Sequence, residues 1–307
     1  MPSRPSASAS PRRGRRWRWP ISTSARPRRT GTPWCCCTAR ISARPPGRRR
    51  SGRFPPPATG VIAPDQVGFC KSSKPARYQF SFQQLAGNTH ALLAALGIER
   101  AVILGHSTGG MLAIRYGLMY PDAVEQLVLV DPIGLEDWKA KGVPWLSVDG
   151  WYAREQHTTA DGIRAYERAT YYAGTWDPAY EPWVQMLAGM YRGPGRDAVA
   201  WDSALLYDMI YTQPVVYELG QLAMPVLLMV GDKDTTAIGK DLAPPAIRAT
   251  LGDYPALGKA AAAHIPHARL IEFPDLGHAP QIQAPARFHA ALLDWLRQPE
   301  TGPSSGG

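Results

Sequence analysis

The chain has 307 residues, 45% of them apolar, and sets 34 Lys and Arg against 25 Asp and Glu for a net charge of +9. That length is large for one domain, though α/β folds often reach it, and it allows a sizeable core; no apolar run reaches the roughly 20 residues that span a bilayer. The charge is local: residues 1–60 hold fifteen arginines and no Asp, Glu or Lys, so residues 61–307 carry −6, a mildly acidic body with no expected nucleic-acid partner.

The head, residues 1–60, admits three readings. Arg15-Arg16-Trp17-Arg18-Trp19 interleaves charge with aromatic rings, as a nucleic-acid-binding arm does. Cys35-Cys36-Cys37 offers thiols, but adjacent cysteines do not easily share one ion and no downstream pair completes a zinc pattern, so no metal is expected. The third reading comes from the codons. Trp34-Cys35-Cys36-Cys37-Thr38-Ala39 is encoded by TGG-TGY-TGY-TGY-ACN-GCN. Read from the third base of each codon, this becomes GTG-YTG-YTG-YAC-NGC, which forces Val-Leu-Leu and permits His-Gly. The head is therefore expected to be a shifted reading frame, irregular or disordered. The same shift on Arg16–Pro20 permits Ala and Leu, which suits the end of an export signal. Arg12-Arg13 is followed by no apolar stretch, so the chain as written is expected to be soluble and cytoplasmic, and exported only in the other frame.

Next in order, Ser81 opens a helix with Gln84 three residues on, a capping-box pattern. Phe82, Leu85, Ala86, Thr89, Leu92, Leu93 and Leu96 form its apolar face, and Gly97 can end it. Ala101-Val102-Ile103-Leu104 reads as a buried strand and Gly110–Tyr116 as a helix, with Gly105-His106-Ser107-Thr108-Gly109 between them. Glycine on both sides of a serine, between strand and helix, is the pattern of a nucleophile elbow. Gln126–Asp131 is the next strand, and alternating strands and helices imply a mainly parallel sheet covered on both faces.

Between residues 132 and 222 strand-like runs give way to helical ones, and six of the ten tryptophans and nine of the thirteen tyrosines lie here. The segment reads as a helical cap, inserted between two halves of a core at 61–131 and 223–298. Most of its rings should form its own core. Tyr171, Tyr172, Trp176 and Trp201, with His106 from the elbow, are the candidates for lining a substrate pocket. Pro225–Val230 is a further strand, ending in Gly231-Asp232-Lys233-Asp234, and Arg269–Phe273 another, followed by Pro274-Asp275-Leu276-Gly277-His278. Serine, acid and histidine thus follow in the chain order of a hydrolase triad. Residues 299–307 read as a flexible tail.

From Val61 to about Arg297 the chain resembles the α/β-hydrolase-fold family in its cap-bearing form. Ile62-Ala63-Pro64-Asp65-Gln66-Val67-Gly68-Phe69 is similar to the family's strand end and loop before the nucleophile. Gly277-His278-Ala279-Pro280 is similar to its histidine loop, and Pro285 and Phe288 open a last amphipathic helix as in the family. Cys70 stands where the family often has glycine and Gln283 where it often has glutamate; neither removes a catalytic group. The resemblance implies Ser107 as nucleophile, His278 as base and, by spacing, Asp234 rather than Asp232 as the acid, with Asp131 an alternative.

It also implies one oxyanion donor from the Thr108 backbone N–H and a second from a loop after a strand of the form Val-Leu-Leu-His-Gly. The shifted frame yields that signature at Trp34–Ala39. As written, the second donor is missing, and the sheet should lack its strand beside the one ending at Leu104. The expected function is hydrolysis of carboxylic esters through an acyl-enzyme on Ser107, with a small-molecule substrate and no cofactor. Aminopeptidase or carbon–carbon bond hydrolase activity is the alternative on the same fold. A catalytically impaired small-molecule binder is the alternative from another class.

Overall fold

The computed structural model describes residues 60–297 and, as backbone only, the strands at 21–24 and 39–43. Seven strands form one sheet: β1 (Ile21–Ser24), β2 (Ala39–Ala43), β3 (Gly60–Pro64), β4 (Ala101–His106), β5 (Val124–Val130), β6 (Val226–Gly231) and β7 (Ala268–Phe273). Their order across the sheet is β1-β3-β2-β4-β5-β6-β7. From β4 to β7 every pairing is parallel. β3 runs the same way, because β2 is antiparallel to both β3 and β4.

The strand beside β4 corrects one expectation. That place is filled by Ala39–Ala43, with Ala39 opposite Gly105 and Ala43 opposite Ala101. A central strand with one bare edge would leave buried N–H and C=O groups unpaired, and β2 supplies partners to both β3 and β4. It runs against the direction a parallel crossover would give. The Trp34–Cys37 stretch, residue 298 and the tail at 299–307 lie outside the described residues.

The helices are α1 (Phe82–Ala95), α2 (Thr108–Met119), α3 (Val148–Glu155), α4 (Ala160–Thr170), α5 (Glu181–Met190), α6 (Arg196–Thr212), α7 (Pro245–Arg248), α8 (Tyr254–His264), α9 (Pro280–Gln283) and α10 (Pro285–Arg297). The central strands are apolar on both sides because helices cover both. Leu127, Leu129 and Leu228 join a core with Phe82 and Leu85 of α1 and Leu112 and Ile114 of α2. The alternate residues Val128, Val130, Leu227 and Met229 join a second core with Phe288 and Trp295 of α10. This is the period-2 pattern of a sheet buried on both faces. Burial of each such side chain contributes roughly 1.5–3 kcal/mol, so the ends of β4, β5 and β6 are rigid mounts for the loops that leave them.

Between β5 and β6 the chain is helical. Ser147 and Thr159 cap α3 and α4 by accepting from Gly150 N–H and Gly162 N–H, each at 3.1 Å. α3 packs on α6, α4 packs on α5, and Leu206, Met209 and Ile210 of α6 join the first core. Among the described residues no helix is long and apolar enough to cross a membrane.

Candidate active site

The turn between β4 and α2 is very tight. A Cβ on Gly105 would stand 2.0 Å from the Gly109 carbonyl oxygen, so no other residue fits there. Ser107 sits at the apex with φ 55 and ψ −124, immediately before the first residue of α2. Left-handed backbone at a non-glycine residue costs on the order of 1–3 kcal/mol and persists only where its surroundings enforce it. Here they do: Ser107 N–H donates to Val130 O at 3.1 Å, and its carbonyl accepts from Gly110 N–H at 2.8 Å and Ile133 N–H at 3.3 Å. Thr108 begins α2, which points its N–H toward the end of the sheet where Ser107 lies.

At the end of β6 the chain turns back at once, with Asp234 N–H donating to Gly231 O at 3.0 Å. Asp234 Oδ1 accepts from Thr236 N–H at 2.8 Å, and Oδ2 accepts from His278 Nδ1 at 2.5 Å. Both side chains are wholly buried. In the neutral ring, the proton that bonds this carboxylate is on Nδ1 and the lone pair is on Nε2. His278 Nε2 is buried and has no hydrogen-bond partner among the described residues. His278 is in turn held by its backbone: its N–H donates to Thr170 O at 3.3 Å and its carbonyl accepts from His106 Nε2 at 2.6 Å.

The rival carboxyls lie apart from the imidazole. Asp131, at φ 38 and fully buried, accepts from Gly231 N–H at 2.7 Å through Oδ1, and its Oδ2 has no partner among the described residues. Burial, and then the charge of Asp234, push its carboxyl well above the usual range. Asp232 is also raised, by burial and then by Glu272, and makes no bond to His278.

The expected pocket residues separate. The Tyr171 ring lies 4.7 Å from the His278 ring and 6.3 Å from that of His106, so these three meet. Tyr172 is enclosed instead, stacked on Tyr180 at 3.9 Å with its hydroxyl 3.4 Å from Glu167. Trp176 packs edge-on against both Tyr172 and Tyr180 at 5.8 Å. Trp201 meets Tyr152 at 5.5 Å and is 37% exposed.

Two residues here escaped the sequence reading. Tyr254, buried at the start of α8, puts its ring 6.3 Å from that of His278. Glu136 is buried and accepts from Trp138 Nε1 at 3.2 Å, Gly252 N–H at 3.0 Å and Lys141 Nζ at 2.6 Å, tying the loop after β5 to the chain before α8. No motif marks either one: Glu136 bonds Trp138 and Lys141 nearby but also Gly252, 116 residues on, and Tyr254 meets His278 only through the fold. Among the described residues no group of three or more His, Cys, Asp or Glu side chains is placed to hold a metal.

A probable hydrolytic enzyme from Pseudomonas aeruginosa PAO1 is 69% identical, with a TM-score of 0.76 over 77% of this chain and 76% of its own. An esterase from Exiguobacterium antarcticum shares the fold at 18% identity and a TM-score of 0.60, over 77% of this chain and 81% of its own. Lipase 3 of Moraxella sp. is 28% identical over 207 residues, 63% of this chain and 62% of the lipase. A 2-hydroxymuconate semialdehyde hydrolase of Pseudomonas putida is 38% identical over 94 residues, 30% of this chain and 34% of that enzyme. The match thus spans about a third to under two thirds of these two curated relatives. The sequence profile of the alpha/beta hydrolase fold family matches residues 58–285, and the chain belongs to that family.

Proposed function

We propose that the protein hydrolyses carboxylic esters through an acyl-enzyme on Ser107. The observation that carries this reading is the buried His278 Nδ1–Asp234 Oδ2 contact of 2.5 Å, which leaves the Nε2 lone pair available as a base. Ser107 Oγ attacks the ester carbonyl carbon while His278 Nε2 takes its proton, then delivers that proton to the departing alkoxide. Water, deprotonated by the same nitrogen, releases the acid and regenerates Ser107. Asp234 fixes the tautomer and stabilises the imidazolium. The Thr108 N–H serves as one oxyanion donor, and we assign no second; one such donor is worth roughly 3–4 kcal/mol in the transition state. The helical segment 132–222 acts as a cap, with Tyr171 the ring at the base.

Carbon–carbon bond hydrolysis is the second reading. It is favoured by the 38% identity over 94 residues to the 2-hydroxymuconate semialdehyde hydrolase. A fluorophosphonate probe should label Ser107, and Ser107→Ala should abolish labelling. p-Nitrophenyl esters assayed beside a ring-fission dienoate then separate the two readings: turnover of the dienoate alone overturns ester hydrolysis. Labelling that persists in the alanine variant removes Ser107 from the mechanism.

A further inference from the structure

The peptide of His278 is gripped on two sides by parts of the chain that are remote in sequence. On one side its carbonyl accepts from Nε2 of His106, 172 residues away, at 2.6 Å. On the other, His278 N–H donates to Thr170 O and Ala279 N–H to Tyr171 O, both at 3.3 Å. The approach is as close as backbone permits. A Cβ on Gly277 would stand 2.6 Å from Tyr171 O and 2.8 Å from Thr170 O, so the end of α4 rests directly on the histidine loop. A carbonyl can only accept, so His106 Nε2 must carry a proton. Burial, and then the neighbouring His278, push the His106 ring down to about 3, against the pull of its backbone bond. It is therefore a neutral donor that adds no charge beside the base. His106 directly precedes Ser107 and shares its strained turn, so this bond couples the nucleophile's backbone to that of the base.

We infer that His106 is a positioning residue for the reaction, setting the His278 peptide relative to Ser107 while the end of α4 closes on that peptide from the opposite side. This goes beyond the triad but rests on the reading of Ser107 and His278 as nucleophile and base. The base would then be in register only when elbow and insertion are both seated against it. Small displacements of a catalytic group cost on the order of 100-fold in rate, so the bond has leverage although His106 itself touches no reacting atom.

The test uses the full chain with three substitutions, read by kcat and KM on p-nitrophenyl butyrate and by the rate at which a fluorophosphonate labels Ser107. His106→Leu removes the donor and should lower kcat and the labelling rate on the order of 10–100-fold, with KM within about twofold of the parent. His106→Gln places an amide N–H near the position of Nε2 and should recover most of the loss. His106→Asn is polar but too short to reach the carbonyl, and should be as slow as the leucine variant. Melting curves accompany each, and if the leucine variant does not fold, the Gln–Asn pair carries the comparison. Equal rates for Gln and Asn variants, or a folded leucine variant with the parent's kcat, overturn the inference. A parent protein that the probe does not label at all overturns the triad reading itself, and this inference with it.

Discussion

The end of β6 and the helical segment between β5 and β6 hold their buried carboxyls differently. At the ends of β4, β5 and β6 the buried groups of the candidate site are tied to backbone or to each other: Ser107 by three backbone bonds, Asp234 by Thr236 and His278, and Asp131 by Gly231. In the helical segment Glu167 and Asp202 are less well provided for than Asp234. Among the described residues, buried Glu167 has a 3.4 Å contact from the Tyr172 hydroxyl, and buried Asp202 has no partner for Oδ2. Burial pushes both carboxyls up to about 7, with Lys74 pulling Asp202 back in part. A buried carboxyl lacking strong partners is stable as the neutral acid. Compensated charge is thus found at Asp234, bonded through both oxygens, whereas Asp131 at the end of β5, like Glu167 and Asp202 in the helical segment, is pushed up by burial because its carboxyl is only partly bonded.

The largest expected effect tests the compensated charge. Asp234→Asn should lower kcat about 10⁴-fold with the melting temperature nearly unchanged, because the histidine tautomer is then wrong. Asp131→Asn and Asp232→Asn should do far less, since neither carboxyl meets His278. If Asp131→Asn alone abolishes turnover of folded protein, the acid sits on β5 and the contrast between the strand ends is misread.

Next comes the apolar support of those strand ends. Phe288 is 1% exposed and packs with Val128 and Leu227. Phe288→Ala should cost about 3–5 kcal/mol in urea unfolding. A loss below about 1 kcal/mol would show that α10 does not hold the sheet face against which it packs.

A smaller effect probes the helical segment through pH. The Asp202 carboxyl titrates near 7 in the fold, well above its ordinary value of 3.8. Between those values the folded chain holds a proton that the unfolded chain has lost, so stability falls as pH rises from about 4 to about 7 and stays low above it. Asp202→Asn should reduce that slope, leaving the share of Glu167, and raise stability at pH 8 by on the order of 1–2 kcal/mol. An unchanged slope in urea titrations from pH 4 to 8 would show that the carboxyl is solvated or paired.

The smallest effect lies in the loop after β3. Cys70 has φ 45, a left-handed conformation at a residue with a Cβ. Cys70→Gly should relieve it and stabilise by about 1 kcal/mol or less, since glycine's extra chain entropy offsets part of the gain. Destabilisation instead would mean that the thiol's packing near Met190, 3.9 Å between sulfurs, outweighs the strain.

Local signals made much of the fold legible. The runs at 101–106, 124–130, 226–231 and 268–273 are strands, and Ser81 accepts from Gln84 N–H at 3.0 Å as a helix cap. Even there the capping is one-sided, because the Gln84 side chain bonds Asn88 rather than reaching back. Leu96, placed on the apolar face by periodicity, lies at the helix end and is 38% exposed. Within the aromatic-rich insertion, composition did not separate the ring at the histidine from the others. Tyr171 and Tyr172 are chain neighbours in similar company, yet one meets His278 and the other stacks on Tyr180.

By itself the sequence determined the family, the parallel run of strands and the glycine-flanked turn at Ser107, because periodicity and turn chemistry are properties of neighbouring residues. The resemblance also names Asp234 as the partner of His278; only the tertiary structure decided that His106 grips the His278 carbonyl and that an antiparallel strand fills the place beside β4. Those outcomes depend on the register of strands and on loops distant in the chain. A hydrogen bond spanning 172 residues is fixed by where the sheet sets its two ends, and no local pattern at either end encodes it.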